Sequence, residues 1–177
     1  MIPAKVLLFL PIAASISIEK SFEFGQLIVD CITIDNNIKT LTYQIGNWTE
    51  AQTFLGALPI LQDEQTLDQS IKTATVNAQQ LPRLTSSQAA NMDALVENYI
   101  IPDTAALLST MKAKKQDFTD VGALGIAQNS ISTLRTDQAS YSNALLNITP
   151  DSNKQQGMKD AATVDTYFAD AAAYFAS

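Results

Sequence analysis

Residues 31–48 read CITIDNNIKTLTYQIGNW, and Cys31, Ile34, Ile38, Leu41, Ile45 and Trp48 step through them at 3-4-3-4-3. That spacing stacks six apolar side chains on one face of a helix and sends the polar ones outward. The same seam recurs at Leu67, Ile71, Ala74, Ala78 and Leu81, and again at Leu124, Ala127, Ile131, Leu134, Gln138, Tyr141 and Leu145. A last seam runs through Gly157, Ala161, Val164, Phe168, Ala171 and Phe175. No stretch carries the β-branched alternation of an extended sheet. The pattern predicts an all-α fold: a single-domain bundle of about five amphipathic helices around a shared apolar interior. At 177 residues the chain fits one domain with a sizeable core.

Composition removes most chemistry. The chain has no histidine, one cysteine and a net charge of −7. Without histidine there is no Ser-His-Asp or Cys-His nucleophile and no usual zinc ligand. No phosphate-binding glycine loop or calcium loop is present. The acidic balance repels nucleic acid. Arg83 and Arg135 are the only arginines, too few to converge on a small dianion. Asp117 with Asp120, or Asp165 with Asp170, are the carboxylate pairs to weigh, and solvated surface groups are the simpler reading of both. Cys31 lies on a seam and reads as a small buried hydrophobe. No cofactor or metal is expected, and the interior itself becomes the candidate functional part.

Lys5 precedes an apolar run from Val6 to Ile18, followed by small residues suited to cleavage after Ser15 or Ser17. This is the form of a secretory signal peptide over residues 1–17, and the run is too short to span a bilayer as a helix. A buried first helix would have to hold Pro11, at a cost of about 3 kcal/mol. Residues 18–29 follow neither period convincingly and are expected to form a linker or N-terminal extension, leaving 30–177 as the bundle. The first helix is placed from about Val29 to Trp48, and a short helical turn within Glu50–Leu58. The second long helix is placed from Asp63 or Glu64 to before Pro82, and the next is capped by Ser86 without a capping box. Pro102 predicts a kink or break, Gly122 or Gly125 a turn, and Pro150-Asp151 the start of the last helix. Asn47-Trp48-Thr49 and Asn147-Ile148-Thr149 are sequons that agree with secretion.

Leu67 to Thr75 (LDQSIKTAT) with Leu81-Pro82-Arg83-Leu84, and Leu107 to Phe118 (LLSTMKAKKQDF), carry a resemblance. Over roughly Cys31 to Phe175 the chain resembles the fungal hydrophobic surface binding protein A and antigenic cell wall galactomannoprotein family. The resemblance implies a secreted or wall-associated five-helix bundle without enzymatic activity. Some relatives enclose a long apolar cavity that takes up fatty acids. Others adsorb to hydrophobic surfaces and assist secreted hydrolases. Two departures stand out: a long segment before the first helix, and no Ser/Thr-rich tail or hydrophobic anchor after Phe175. The second favours a freely secreted domain.

On that reading the partner is a fatty acid or other long-chain lipid, or a hydrophobic surface. The candidate pocket is Ile38, Leu41, Ile45, Leu67, Ile71, Leu95, Leu108, Met111, Leu134, Tyr141, Val164 and Phe168, seam positions that serve equally as plain core. Gln138 breaks an apolar seam; it either bridges backbone groups or binds a polar head group. Thr75, Tyr141 and the cluster Lys112, Lys114 and Lys115 are further head-group donors. Small seam residues (Ala74, Ala78, Ala127, Ala161, Ala171) either let helices close up or leave a channel.

Overall fold

A computed structural model describes the backbone of residues 12–177 and the side chains from Phe24 onward. Helix α1 runs Ile12–Asn47. The expected signal peptide therefore lies mostly outside the described residues. The expected linker over 18–29 is instead helical. The seam extends backward through Phe24 and Leu27 to Cys31 and Ile34, again at 3-4-3, and Leu27 is 0% exposed. Gly25 and the flanking polar residues dilute that signal in the sequence.

A 3₁₀ turn (Glu50–Gln52) and a short α2 (Thr53–Gly56) lead into α3 (Leu58–Gln80). The second long helix thus begins about one and a half turns earlier than expected. Pro59 sits in its first turn, where a missing N–H costs nothing. Helix α4 (Ser86–Leu95) is capped by Thr85 rather than Ser86. Moving the cap back one residue brings Gln88 into the capping-box position: Gln88 N–H donates to Thr85 Oγ1 at 3.2 Å and Thr85 N–H to Gln88 Oε1 at 2.9 Å.

Pro102 does not break its helix. A π-helical turn (Val96–Ile100) precedes α5 (Ile101–Ala113), and the widened turn lets the rod continue past the proline. Helix α6 (Lys115–Asp120) ends at Gly122, whose φ of +74° only glycine adopts freely. Ala123 N–H donates to Phe118 O at 2.7 Å and Gly122 N–H to Thr119 O at 3.0 Å, the paired bonds of a Schellman stop. Helices α7 (Leu124–Ile148) and α8 (Asp151–Ala176) complete the chain.

With α4, the π turn and α5 counted as one rod, five long rods stand among the described residues; α2 and α6 are short additions. The rods close a ring in the order α1, α3, α7, α8, α5 and back to α1. Side-chain pairs set their directions. Lys39 with Asp103 aligns α1 with α5, Lys112 with Asp170 aligns α5 with α8, and Lys72 with Asp137 aligns α3 with α7. Asn77 with Asp30 and Arg135 with Asp165 hold the antiparallel seams α1–α3 and α7–α8.

A five-membered ring of helices about 9 Å apart puts each axis about 8 Å from the centre, while a helix with its side chains reaches about 5–6 Å. Inward residues must bridge the difference. Leu27, Ile34, Leu41, Leu67, Leu107, Leu108, Ile131, Leu134 and Val164, all under 2.5% exposed, occupy that interior.

Candidate functional site

Among the described residues the interior shows two small voids toward opposite ends of the bundle, of about 30 and 50 Å³. Ligand pockets for small molecules occupy about 300–1,000 Å³. Neither void by itself reaches the size of the long cavity expected as one alternative.

The first void lies where the C-terminal parts of α1 and α5 meet the N-terminal parts of α3 and α7. Leu41, Ile45, Met111, Phe118 and Leu134 line it, Phe54 of α2 covers it, and Glu64 and Ser130 are its polar edge. The second lies under the π turn, between α1, α7 and α8. Ile34, Met92, Ile100, Tyr141 and Val164 line it, with Gln138, Ser142, Thr149, Asp93 and Asp160 as its polar members.

Seven of the predicted pocket residues thus reach a void: Leu41, Ile45, Met111 and Leu134 at the first, and Gln138, Tyr141 and Val164 at the second. Ile38, Leu67, Ile71, Leu95, Leu108 and Phe168 line neither and pack in or against the core. Ile38 has a particular place among them, because it stands on α1 between Ile34 and Leu41 and so between the two voids. Periodicity missed Phe54, Phe118 and Asp160. Phe118 was visible as the last residue of the Lys-rich block, but a buried aspartate gives no apolar signal.

The second void is where polar groups meet desolvation. Tyr141 Oη is buried with no hydrogen-bond partner among the described residues. Burial, then the neighbouring Cys31 and Asp30, pushes its pKa well above 10. Asp160 Oδ1 accepts from Gln156 Nε2 at 2.8 Å, but its Oδ2 has no partner. Burial raises the Asp160 carboxyl, only partly offset by the Gln156 bond, and Asp93 is raised by burial too. Groups held toward their neutral forms in an apolar setting can share a proton with a ligand and hydrogen-bond it.

The other proposed head-group donors are engaged elsewhere. Thr75 Oγ1 donates to Ile71 O of its own helix at 2.8 Å. Lys114 Nζ donates to Trp48 O at 2.6 Å and Lys115 Nζ to Tyr174 O at 2.8 Å, so both close the C-terminal carbonyl ends of α1 and α8. Lys112 pairs with Asp170 at 2.5 Å. Gln138 is half-buried, with its amide 3.5 Å from Ser142 Oγ. The carboxylates weighed as acid–base pairs are each bound apart: Asp165 to Arg135, Asp170 to Lys112, Asp117 to Lys114 and Asp120 to Gln116.

The segment covering the first void is strained. Thr53 has φ +60° and ψ −176°, a region almost confined to glycine and costly for a β-branched residue by about 1–3 kcal/mol. Trp48 packs beneath, stacked on Phe118 at 5.2 Å between centroids, with Nε1 donating to Thr53 O at 3.4 Å. A methyl group on Gly56 would lie 2.5 Å from Gln52 Cβ and 3.5 Å from Trp48 Nε1, so only glycine permits this approach. Asn47 and Asn147, the two sequon asparagines, are exposed at the ends of α1 and α7.

Solved structures share this architecture. AFMP4P in complex with palmitic acid is 24% identical over 86% of this chain and 99% of that one, with a TM-score of 0.82. Ligand binding domain 1 of the Penicillium marneffei MP1 protein, complexed with arachidonic acids, is 12% identical over 88% of this chain and 98% of that one, with a TM-score of 0.79. Domain 2 of the same protein, with multiple arachidonic acids, is 14% identical over 88% and 95%, with a TM-score of 0.78. At these identities the likeness is one of fold. No curated protein matches the chain in sequence. The profile of hydrophobic surface binding protein A matches residues 25–147, which take in the seams of α1, α3 and α7 and both voids' α7 walls. The chain belongs to the hydrophobic surface binding protein A family.

Proposed function

We propose that this protein binds a long-chain fatty acid in the interior of its helical ring, without turning it over. The carrying observation is a pair of small defects, one turn of α1 to either side of Ile38, one of them lined by Tyr141, whose buried hydroxyl has no partner among the described residues. The fold it shares with proteins solved around palmitic and arachidonic acids supports the same reading. The acyl chain lies along the ring axis from the first void toward the second. Ile38 and its neighbours swing aside, because the voids alone are too small to hold it.

The energetics suit such a guest. A dozen buried methylenes contribute about 10 kcal/mol at about 0.8 each. Association, ordering and side-chain displacement take back half or more, which leaves about micromolar affinity. The carboxyl end belongs at the second void, where Tyr141 Oη donates to it and Gln138 lies at the rim. A bare carboxylate stranded among the leucines of the first void would be prohibitive. In this reading the protein is secreted, with residues 1–17 as its signal peptide and Asn47 and Asn147 as glycan acceptors.

Calorimetric titration of delipidated protein with palmitate tests the proposal. Saturable one-to-one binding with a negative heat-capacity change is expected. Silence toward palmitate and arachidonate alike refutes it. A second reading, adsorption to hydrophobic surfaces, is favoured by the exposed Phe54, Leu55 and Leu58 around α2.

A further inference from the structure

Residues 51–62 read AQTFLGALPILQ, twelve positions without one charged side chain in a chain of net charge −7. They span the end of the 3₁₀ turn, α2 and the first turn of α3. Phe54, Leu55 and Leu58 are 38%, 73% and 47% exposed there, although a soluble helix normally turns such residues inward. Phe54 also lines the first void, so the same side chain touches the apolar interior and solvent. The segment hinges on the strained Thr53 and rests on Trp48 through Gly56.

We propose that α2 is the lid of the ligand chamber and that its apolar tip seats on a phospholipid bilayer, from which the fatty acid passes directly into the protein. This rests on the fatty-acid reading above. Three side chains fall well short of the roughly 800 Å² per partner that a stable protein interface buries, which argues against a second copy or a protein partner. They suffice for an amphipathic turn entering the acyl boundary of a membrane. The nearby Lys114 is committed to Trp48 O and to Asp117 at 3.1 Å, so nothing at the tip demands an anionic surface.

The chain polarity agrees. A fatty acid leaving a bilayer moves carboxyl end first; it crosses the first void as the neutral acid and reaches Tyr141 at the far void while its tail trails beneath α2. Opening the lid breaks one long indole hydrogen bond and uncovers Phe54 and Ala57, whereas parting any pair of long rods exposes a leucine seam.

The test is stopped-flow transfer of a fluorescent palmitate analogue from phosphatidylcholine vesicles, carrying a non-exchanging quencher, to the delipidated full chain. The rate should rise with vesicle concentration, as contact transfer requires. Leu55→Glu should slow it about tenfold, the loss expected when one membrane-buried leucine becomes a charge, with the affinity for the probe in buffer unchanged. Met158→Glu, at a 60% exposed position near the opposite end, should transfer like wild type. Gly56→Ala, whose methyl cannot stand 2.5 Å from Gln52 Cβ and so displaces α2 from the preceding 3₁₀ turn, should speed transfer and shift Trp48 emission. Transfer independent of vesicle concentration, a wild-type rate in Leu55→Glu, or a solution dimer that Leu55→Glu dissociates would each overturn the proposal. A wild-type protein that takes no probe in buffer yet holds to the vesicles refutes the fatty-acid reading and leaves the bilayer seat of α2 supported.

Discussion

Ile38 is one helical turn from each void, and shortening it to alanine should join them. The side chain, 4% exposed, loses three carbon atoms. At about 0.8 kcal/mol per buried methylene the transfer loss is about 2.4 kcal/mol. Incomplete collapse leaves roughly 60 Å³ of new space, which adds about 1.5 kcal/mol at about 24 cal/mol per Å³. Ile38→Ala should therefore destabilise the delipidated protein by about 4 kcal/mol, within the range for such truncations. An acyl chain reverses the balance, because it fills the space and no longer has to displace the isoleucine. The variant should bind palmitate about tenfold more tightly and regain about 2.7 kcal/mol when free acid stands at about 100 times its dissociation constant. Urea unfolding followed by circular dichroism, with and without palmitate, reads both quantities. The reasoning is refuted if the variant is destabilised as expected but binds palmitate no more tightly than wild type. The acyl chain would then not pass Ile38.

Other residues give sharper single-point tests. Asp137 and Asp68 share the α3–α7 seam with Lys72, whose Nζ is 2.7 Å from Asp68 and 3.6 Å from Asp137. Burial, then the facing Asp68, raises Asp137 from 3.8 to about 6; in Asp68 burial acts the same way but is outweighed by hydrogen bonding from Asp137 and Lys72. A raised carboxyl stabilises below its unfolded value and loses that contribution as pH climbs through its folded one. Stability should therefore fall by about 1 kcal/mol between pH 3.8 and about 6, after solvent screening is allowed for, and Asp137→Asn should flatten that step in urea midpoints. Tyr141→Phe removes a hydroxyl without a partner, so unfolding should show no loss of stability, while calorimetry should show palmitate affinity reduced about tenfold. Cys31, 2% exposed and pushed up to about 12 by burial and then by Asp35 and Asp30, should resist maleimide in the folded protein and react on unfolding.

The seams were legible because burial in a ring of rods repeats the helical period. Every one of Cys31, Ile34, Ile38, Leu41, Ile45 and Trp48 is at most 4% exposed. The start of the bundle was not, because Gly25 and the polar residues around Leu27 interrupt the pattern. Local chemistry misled by one residue at Thr85, where the cap and its glutamine partner shift together. Pro59 and Pro102 read as stops, yet one sits harmlessly in a first turn and the other is absorbed by a π turn. Periodicity says which face a residue presents, not how far its side chain reaches across the axis. Leu41 and Ile38 are therefore indistinguishable in sequence although one borders a void and the other stands between the two. Asp160 was invisible for the opposite reason: its burial depends on the π turn and α4 packing over α8.

The rod directions have an electrostatic consequence. The amino ends of the α4–α5 rod and of α8 point toward the Tyr141 end, while the carboxyl ends of α1, α5 and α8 gather at the Trp48 end. The antiparallel α3 and α7 oppose these three rods, so peptide dipoles leave only a one-rod excess of partial positive charge at the first pole and of partial negative charge at the second. At the second pole Lys114 and Lys115 donate to the exposed carbonyl ends of α1 and α8. A guest with one acidic terminus thus meets three amino and two carboxyl helix ends at one pole, and the reverse at the other.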